Sequence, residues 1–258
     1  MAMNPRLLRP LARPPTMPEF YFNAAVDSDW NTLGNWWTDS GHTTQASALP
    51  TSSDSVVLSA TCDTNSGSEP TVVNLTFNDP DVAYPNLNIA VIVTGNATFN
   101  DSSYLEFSGV VTGDATFNDS SYGNAGVVSG NATFNGSSYN NSGVVIGDAT
   151  FNGSSYNNGG VGGDATFNGS TYNNSSVNGD ATFNGSSYNN GGVGGDATFN
   201  DSSYNSDYEY SIVTGNATFN GISYNDGTVT GTATFTGSAC NGGGTAGTFV
   251  PNPPPTCP

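Results

Sequence analysis

From Val93 to Phe235 the chain repeats one phrase, Val-x-Gly-[Asp/Asn/Thr]-Ala-Thr-Phe, and most copies continue Asn-[Gly/Asp]-Ser-Ser-Tyr. Nine copies align without gaps, with their phenylalanines at Phe99, Phe117, Phe134, Phe151, Phe167, Phe183, Phe199, Phe219 and Phe235. The intervals are 18, 17, 17, 16, 16, 16, 20 and 16 residues. A unit this short carries only three or four inward side chains and cannot bury a face alone, so copies must stack on one another. The sequence therefore predicts an all-β, single-stranded parallel β-solenoid of nine to ten coils of 16–18 residues. At the usual strand spacing the repeats would form a body about 40 Å long. A propeller blade needs about 40 residues and a hexapeptide helix needs coils near multiples of six, so neither fits this spacing. A right-handed helix is the expectation on general prevalence.

Within each copy Val, Gly, Ala and Phe fall on alternate positions, which is strand periodicity with these residues facing the core. Five residues past each Phe stands a second aromatic: Tyr104, Tyr122, Tyr139, Tyr156, Tyr172, Tyr188, Tyr204 and Tyr224, with Cys240 in the last copy. These are read as a second inward column, reached after a turn at Asn-Gly or Asn-Asp. The Asn- and Gly-rich stretch after Tyr suits a tight corner. The 20-residue interval holds an insertion around Asp207, Tyr208, Glu209 and Tyr210 that should bulge from one corner.

The flanks differ. Residues 1–19 carry all three basic residues, Arg6, Arg9 and Arg13, in a Pro-interrupted stretch read as a leader or disordered segment. Residues 20–90 hold all three tryptophans and the single His42, and are read as an N-terminal cap with a degenerate first coil around Val72, Val73, Leu75 and Phe77. Residues 91–249 form the repeats, and 250–258 a Pro-rich linker or stalk. Of the three cysteines at least one is unpaired within a monomer, and a Cys240–Cys257 bridge is an open alternative.

The formal net charge is −18, with no Lys and nothing basic after Arg13. That excludes nucleic acid as a partner, because phosphate binding needs Lys or Arg, and it disfavours an anionic membrane surface. No apolar run is long enough for membrane insertion as a helix. Surface positions filled by Asn, Ser, Thr and Gly point to an extracellular protein.

The pattern W-x5-W-W followed by LPTSSDSVVL resembles the segment that opens many bacterial autotransporter-like β-helical repeat regions. The chain from about residue 20 to 249 resembles secreted bacterial repeat proteins of the GNATFNDSSYN kind. The resemblance implies architecture and a secreted or cell-surface location in bacteria more than it implies an activity.

Candidate chemistry is thin. The outward column Asp148, Asp164, Asp180 and Asp196 is a candidate calcium site, although one column offers few of the six to eight oxygens calcium takes. Gly159–Asp164 and Gly191–Asp196 both fit G-G-x-G-x-D, but the period is not nine and neighbouring coils lose the glycines. Trp30, Trp36 and Trp37 form a candidate glycan platform, with a structural cap as the plainer reading. The outward Thr column raises ice binding, yet it lies beside Asp and Asn ranks rather than a second Thr rank. Lyase chemistry lacks a Lys or Arg base, no unique carboxylate pair stands out for a glycosidase, and His42 has no nucleophile motif beside it. No cofactor is called for beyond that calcium reading. The leading reading is a non-catalytic stalk or adhesin-like surface protein, associating end to end or with other surface proteins. A glycan- or calcium-binding module comes second, and a glycan-active enzyme third.

Overall fold

A computed structural model describes residues 18–258 except 64–68, 79–86, 89–90, 102, 106–108 and 124–125. The leader reading falls outside the described residues up to 17; Glu19 already opens the first strand, Glu19–Phe22. The chain is a parallel β-solenoid whose strands fall on three faces running along its axis. Face one carries the Ala-Thr-Phe strands in a 16-stranded sheet, face two the Tyr-Asn strands in a nine-stranded sheet, and face three the short Val strands. None of the described residues forms a helix long and apolar enough to cross a membrane.

Register follows the repeat: Ala pairs with Ala, Thr with Thr and Phe with Phe in successive coils, as in Ala149↔Ala165, Thr150↔Thr166 and Phe151↔Phe167. The Phe, Ala and Val columns are buried throughout, and the Phe rings stack at 4.7 to 5.0 Å from Phe99 to Phe235. The glycine column does not line this core. A Cβ on Gly163 would sit 2.8 Å from the backbone of Gly147 and 2.3 Å from Asp148 Oδ1, so this position is glycine because coils touch there along the axis.

The tyrosines correct the sequence reading. Ser138, Ser155, Thr171, Ser187 and Ser203 just before them, and Asn140, Asn157, Asn173, Asn189 and Asn205 just after, are fully or almost fully buried, while Tyr139, Tyr156, Tyr172, Tyr188 and Tyr204 are half-buried on the outer face. The corner after Phe is made by a residue of positive φ, such as Gly169 at +92° or Asp201 at +60°. The corner residue itself is exposed, and beyond it the positions four and six past Phe return to the inside. Most of the buried polar groups are satisfied from coil to coil, Thr171 Oγ1 and Ser223 Oγ excepted: Ser121 Oγ donates to Phe99 O at 3.0 Å, and Asn157 Nδ2 donates to Asn173 Oδ1 at 2.8 Å. That inner amide ladder runs from Asn140 to Asn241. A second ladder just after Phe, Asn100 to Asn220, donates in the opposite axial direction.

The two ends are finished differently. At the N-terminal end Trp36–Trp37 pairs antiparallel with Glu19–Phe22 and covers that parallel edge, and strands Ser55–Leu58 and Leu75–Phe77 continue face one as further coils. At the other end the last strand, Thr245–Val250, joins the sheet, and the Pro-rich tail folds back rather than leaving as a stalk. Asn241 N donates to Pro255 O at 2.7 Å, and a Cys240–Cys257 disulfide with Cα atoms 5.1 Å apart ties the tail to the final coil.

Candidate functional site

The acidic column is built into the backbone. Asp148 Oδ1 accepts from Asp164 N at 2.9 Å, Asp164 Oδ1 from Asp180 N at 2.8 Å, and Asp180 Oδ1 from Asp196 N at 2.8 Å. The same position is Asn96, Asn131 and Asn216 in other coils, where the amide oxygen makes the same bond. An acceptor is all the position asks for, which is why Asp and Asn interchange there. Among the described residues no group of three or more His, Cys, Asp or Glu side chains is arranged to hold a metal ion. The Gly159 and Gly191 motifs likewise mark close coil contacts: a Cβ on Gly159 would meet Gly143 O at 2.2 Å.

Two of the three tryptophans are core. Trp36 is 0% exposed and Trp30 3%; their rings meet edge to face at 4.6 Å, and Trp36 Nε1 donates to Trp30 O at 2.7 Å. Trp37 alone is half-buried, held by an Nε1 bond to Asn23 Oδ1 and edge-on to His42 at 6.0 Å. His42 is a turn residue with φ of +51°. A flat sugar platform needs several exposed rings, and this arrangement leaves at most one.

The place where non-repeated polar groups converge is elsewhere, at the insertion. Two residues past each tyrosine runs an outward column: Asn158, Asn174, Asn190, Ser206, Asp226, Gly242. Its first members form a third amide ladder, Asn174 Nδ2 to Asn158 Oδ1 at 2.9 Å and Asn190 Nδ2 to Asn174 Oδ1 at 3.0 Å, and Ser206 Oγ donates to Asn190 Oδ1 at 2.6 Å. There the order breaks. The chain leaves the coil as the exposed loop Asp207–Tyr210 and returns at Ser211, whose hydroxyl meets that of Ser206 at 2.8 Å. Asp226, next in the column, cannot donate to its neighbour, and Gly242 beyond it has no side chain to donate back.

The result is an open cleft of about 450 Å³ lined by Tyr188, Tyr204, Tyr224, Asn190, Ser206, Asp207, Tyr208 and Asp226. Burial, and then the charge of Asp207, raises the pKa of Asp226 above the ordinary carboxylate value. Burial and the neighbouring tyrosines and aspartates raise Tyr204 and Tyr224 in the same way. This is the non-repeated carboxylate pair that sequence reasoning missed. Reading the aligned copies two residues past Tyr displays the Asn-to-Ser-to-Asp-to-Gly change that creates it. The cleft can bind through acceptors and hydroxyls; it is open to solvent, so nothing there withholds water from a reacting bond.

No family model matches the chain, and neither a curated protein nor a solved structure is significantly similar to it.

Proposed function

We propose that the chain is a non-catalytic extracellular structural protein, a stiff rod secreted or displayed at a bacterial surface. The observation that carries this reading is the long in-register stack, capped by an antiparallel strand at its N-terminal end and tied by a disulfide at the other. Each coil contacts only its neighbours, yet two long amide ladders, Asn100 to Asn220 and Asn140 to Asn241, and two aromatic columns run along most of the repeats, which makes bending costly. The disulfide supports an oxidising, extracellular setting, and the acidic, Lys-free composition supports solubility without a polyanionic partner. The antiparallel Trp36–Trp37 strand at one end and the disulfide-tied tail over Cys240–Asn241 at the other favour single rods over end-to-end filaments, because a capped edge offers less of a template for another chain, although Thr245–Val250 is paired on one side only. Electron microscopy of the purified chain tests this. Isolated short rods, the same in EDTA and in millimolar calcium, are expected. Filaments would restore end-to-end assembly, and their loss in EDTA would give the Asp column a metal role.

A second reading, a binding module carried on the rod, is favoured by the cleft at the insertion, where the repeat pattern is abandoned and acidic groups converge.

A further inference from the structure

The regular coils leave few unmet polar groups on this side of the rod: each outward Asn hands its amide to the coil before. Asp226 is the exception. Its carboxylate accepts no hydrogen bond from the described residues, because Ser206 is committed to Asn190 and Ser211 and Gly242 carries no side chain. It faces Asp207, also a carboxylate, and no cationic side chain occurs after Arg13 to balance either. A partly buried carboxylate at Asp226 and an exposed one at Asp207 bring two acceptors to one cleft with no cation beside them, so the complementary ligand brings a positive charge and N–H groups.

The rest of the lining narrows the class. Tyr188, Tyr204 and Tyr224 stack at 4.7 and 5.1 Å, covering one another's faces, so this wall presents a row of hydroxyls and ring edges across three successive coils. Tyr208, 56% exposed, stands over it from the loop. A row of hydroxyls at regular spacing matches a hydroxyl-rich, extended ligand better than an apolar one. A cleft of about 450 Å³ is of the size that holds small ligands. Calcium fits less well, since two carboxylates and phenol hydroxyls fall short of six to eight good oxygen ligands.

We propose that this cleft binds an amino sugar, its protonated amine seated between Asp207 and Asp226 and its hydroxyls against Tyr188, Tyr204, Tyr224 and Asn190. The inference rests on the binding-module reading and names its ligand class.

Calorimetric titration of the full chain with a β-linked glucosamine trimer tests it. Saturable binding of one trimer per chain is expected, weakened about ten-fold or more in Asp226→Asn and in Asp207→Asn, as the loss of one charge-assisted hydrogen bond requires. Asp164→Asn, on another face, should bind as the unaltered chain does; an equal loss there would reduce the effect to diffuse acidity and overturn the proposal. Equal affinity for the N-acetylated trimer would overturn the amine's role, and stoichiometric binding of calcium chloride without the trimer would make the site a metal site. Tighter binding of a lysine-rich peptide would replace the sugar with a protein partner. In those three cases the binding module stands and the ligand class fails, whereas silence with every probe removes both.

Discussion

Two aromatic columns run side by side along this rod with nearly the same geometry and opposite surroundings. The phenylalanines stack at 4.7 to 5.0 Å in the core, and the tyrosines from Tyr122 to Tyr224 stack at 4.5 to 5.2 Å on the outside. Rung spacing is set by strand pairing, so stacking comes with register whichever way a side chain points. What differs is what lies behind each ring. Behind Phe are Ala, Val and the next Phe; behind Tyr are a buried Ser or Thr and a buried Asn, most of which bond to adjacent coils. The Tyr side of the interior is therefore sealed largely by hydrogen bonds rather than by apolar contact, and its stability depends on each amide keeping a donor and an acceptor.

Substitutions in one central coil can break this comparison. Phe167→Ala should cost about 3–5 kcal/mol, the range for a large buried ring leaving a cavity, read from the denaturant midpoint; an unchanged midpoint would show that the Phe column is not the core. Asn173→Asp should cost about 3 kcal/mol or more at neutral pH, because the carboxylate cannot donate to Asn189 Oδ1 and is left charged in the interior. Part of that loss should return on acidification below the carboxylate range, and a variant as stable as the parent at pH 7 would put Asn173 outside. Tyr172→Ala should cost only about 1 kcal/mol, the worth of its stacking contacts; a loss equal to that of Phe167→Ala would erase the distinction between the columns. Smallest is Asp164→Asn, which keeps the acceptor that Asp180 N uses and should change thermal stability by under about 0.5 kcal/mol.

The solenoid was legible because the Phe, Ala and Val positions recur without gaps at a spacing only stacked coils satisfy. The outward bulge at Asp207–Tyr210 was legible from a single long interval. The direction of the tyrosines was not, because hydrophobicity argued for Tyr inside and Asn outside, whereas alternation counted straight through the corner from Phe puts Ser and Asn inside. Asparagine can be an interior residue here only because an identical residue waits one coil away, a property of the stack and not of the repeat taken singly. The tail misled in a similar way. VPNPPPTCP has the composition of a linker, and its role as a cap depends on Cys257 reaching Cys240, one pairing among several open to three cysteines. Trp30 and Trp36 could be read as platform or as core, and burial under Phe22 makes them core. The cleft was hidden because its members, Asn190, Ser206 and Asp226, are neighbours only along the axis.

An alkaline titration that follows tyrosinate absorbance and the β-sheet circular dichroism together distinguishes an inward Phe column from an outward Tyr column. Burial, with the neighbouring Tyr139 and Tyr172, pushes Tyr156 up to about 12, and burial raises Tyr172, Tyr204 and Tyr224 as well. A phenol whose folded pKa lies above its ordinary value of about 10 keeps its proton longer in the native state, so its contribution is intact below pH 10 and is lost as pH rises towards 12. Outward tyrosines should ionise progressively and reversibly while the dichroism persists, with the rod losing stability only gradually over that window. Ionisation of the whole column in one step, coincident with collapse of the dichroism, would mean that the rings are released only by unfolding and would contradict the account.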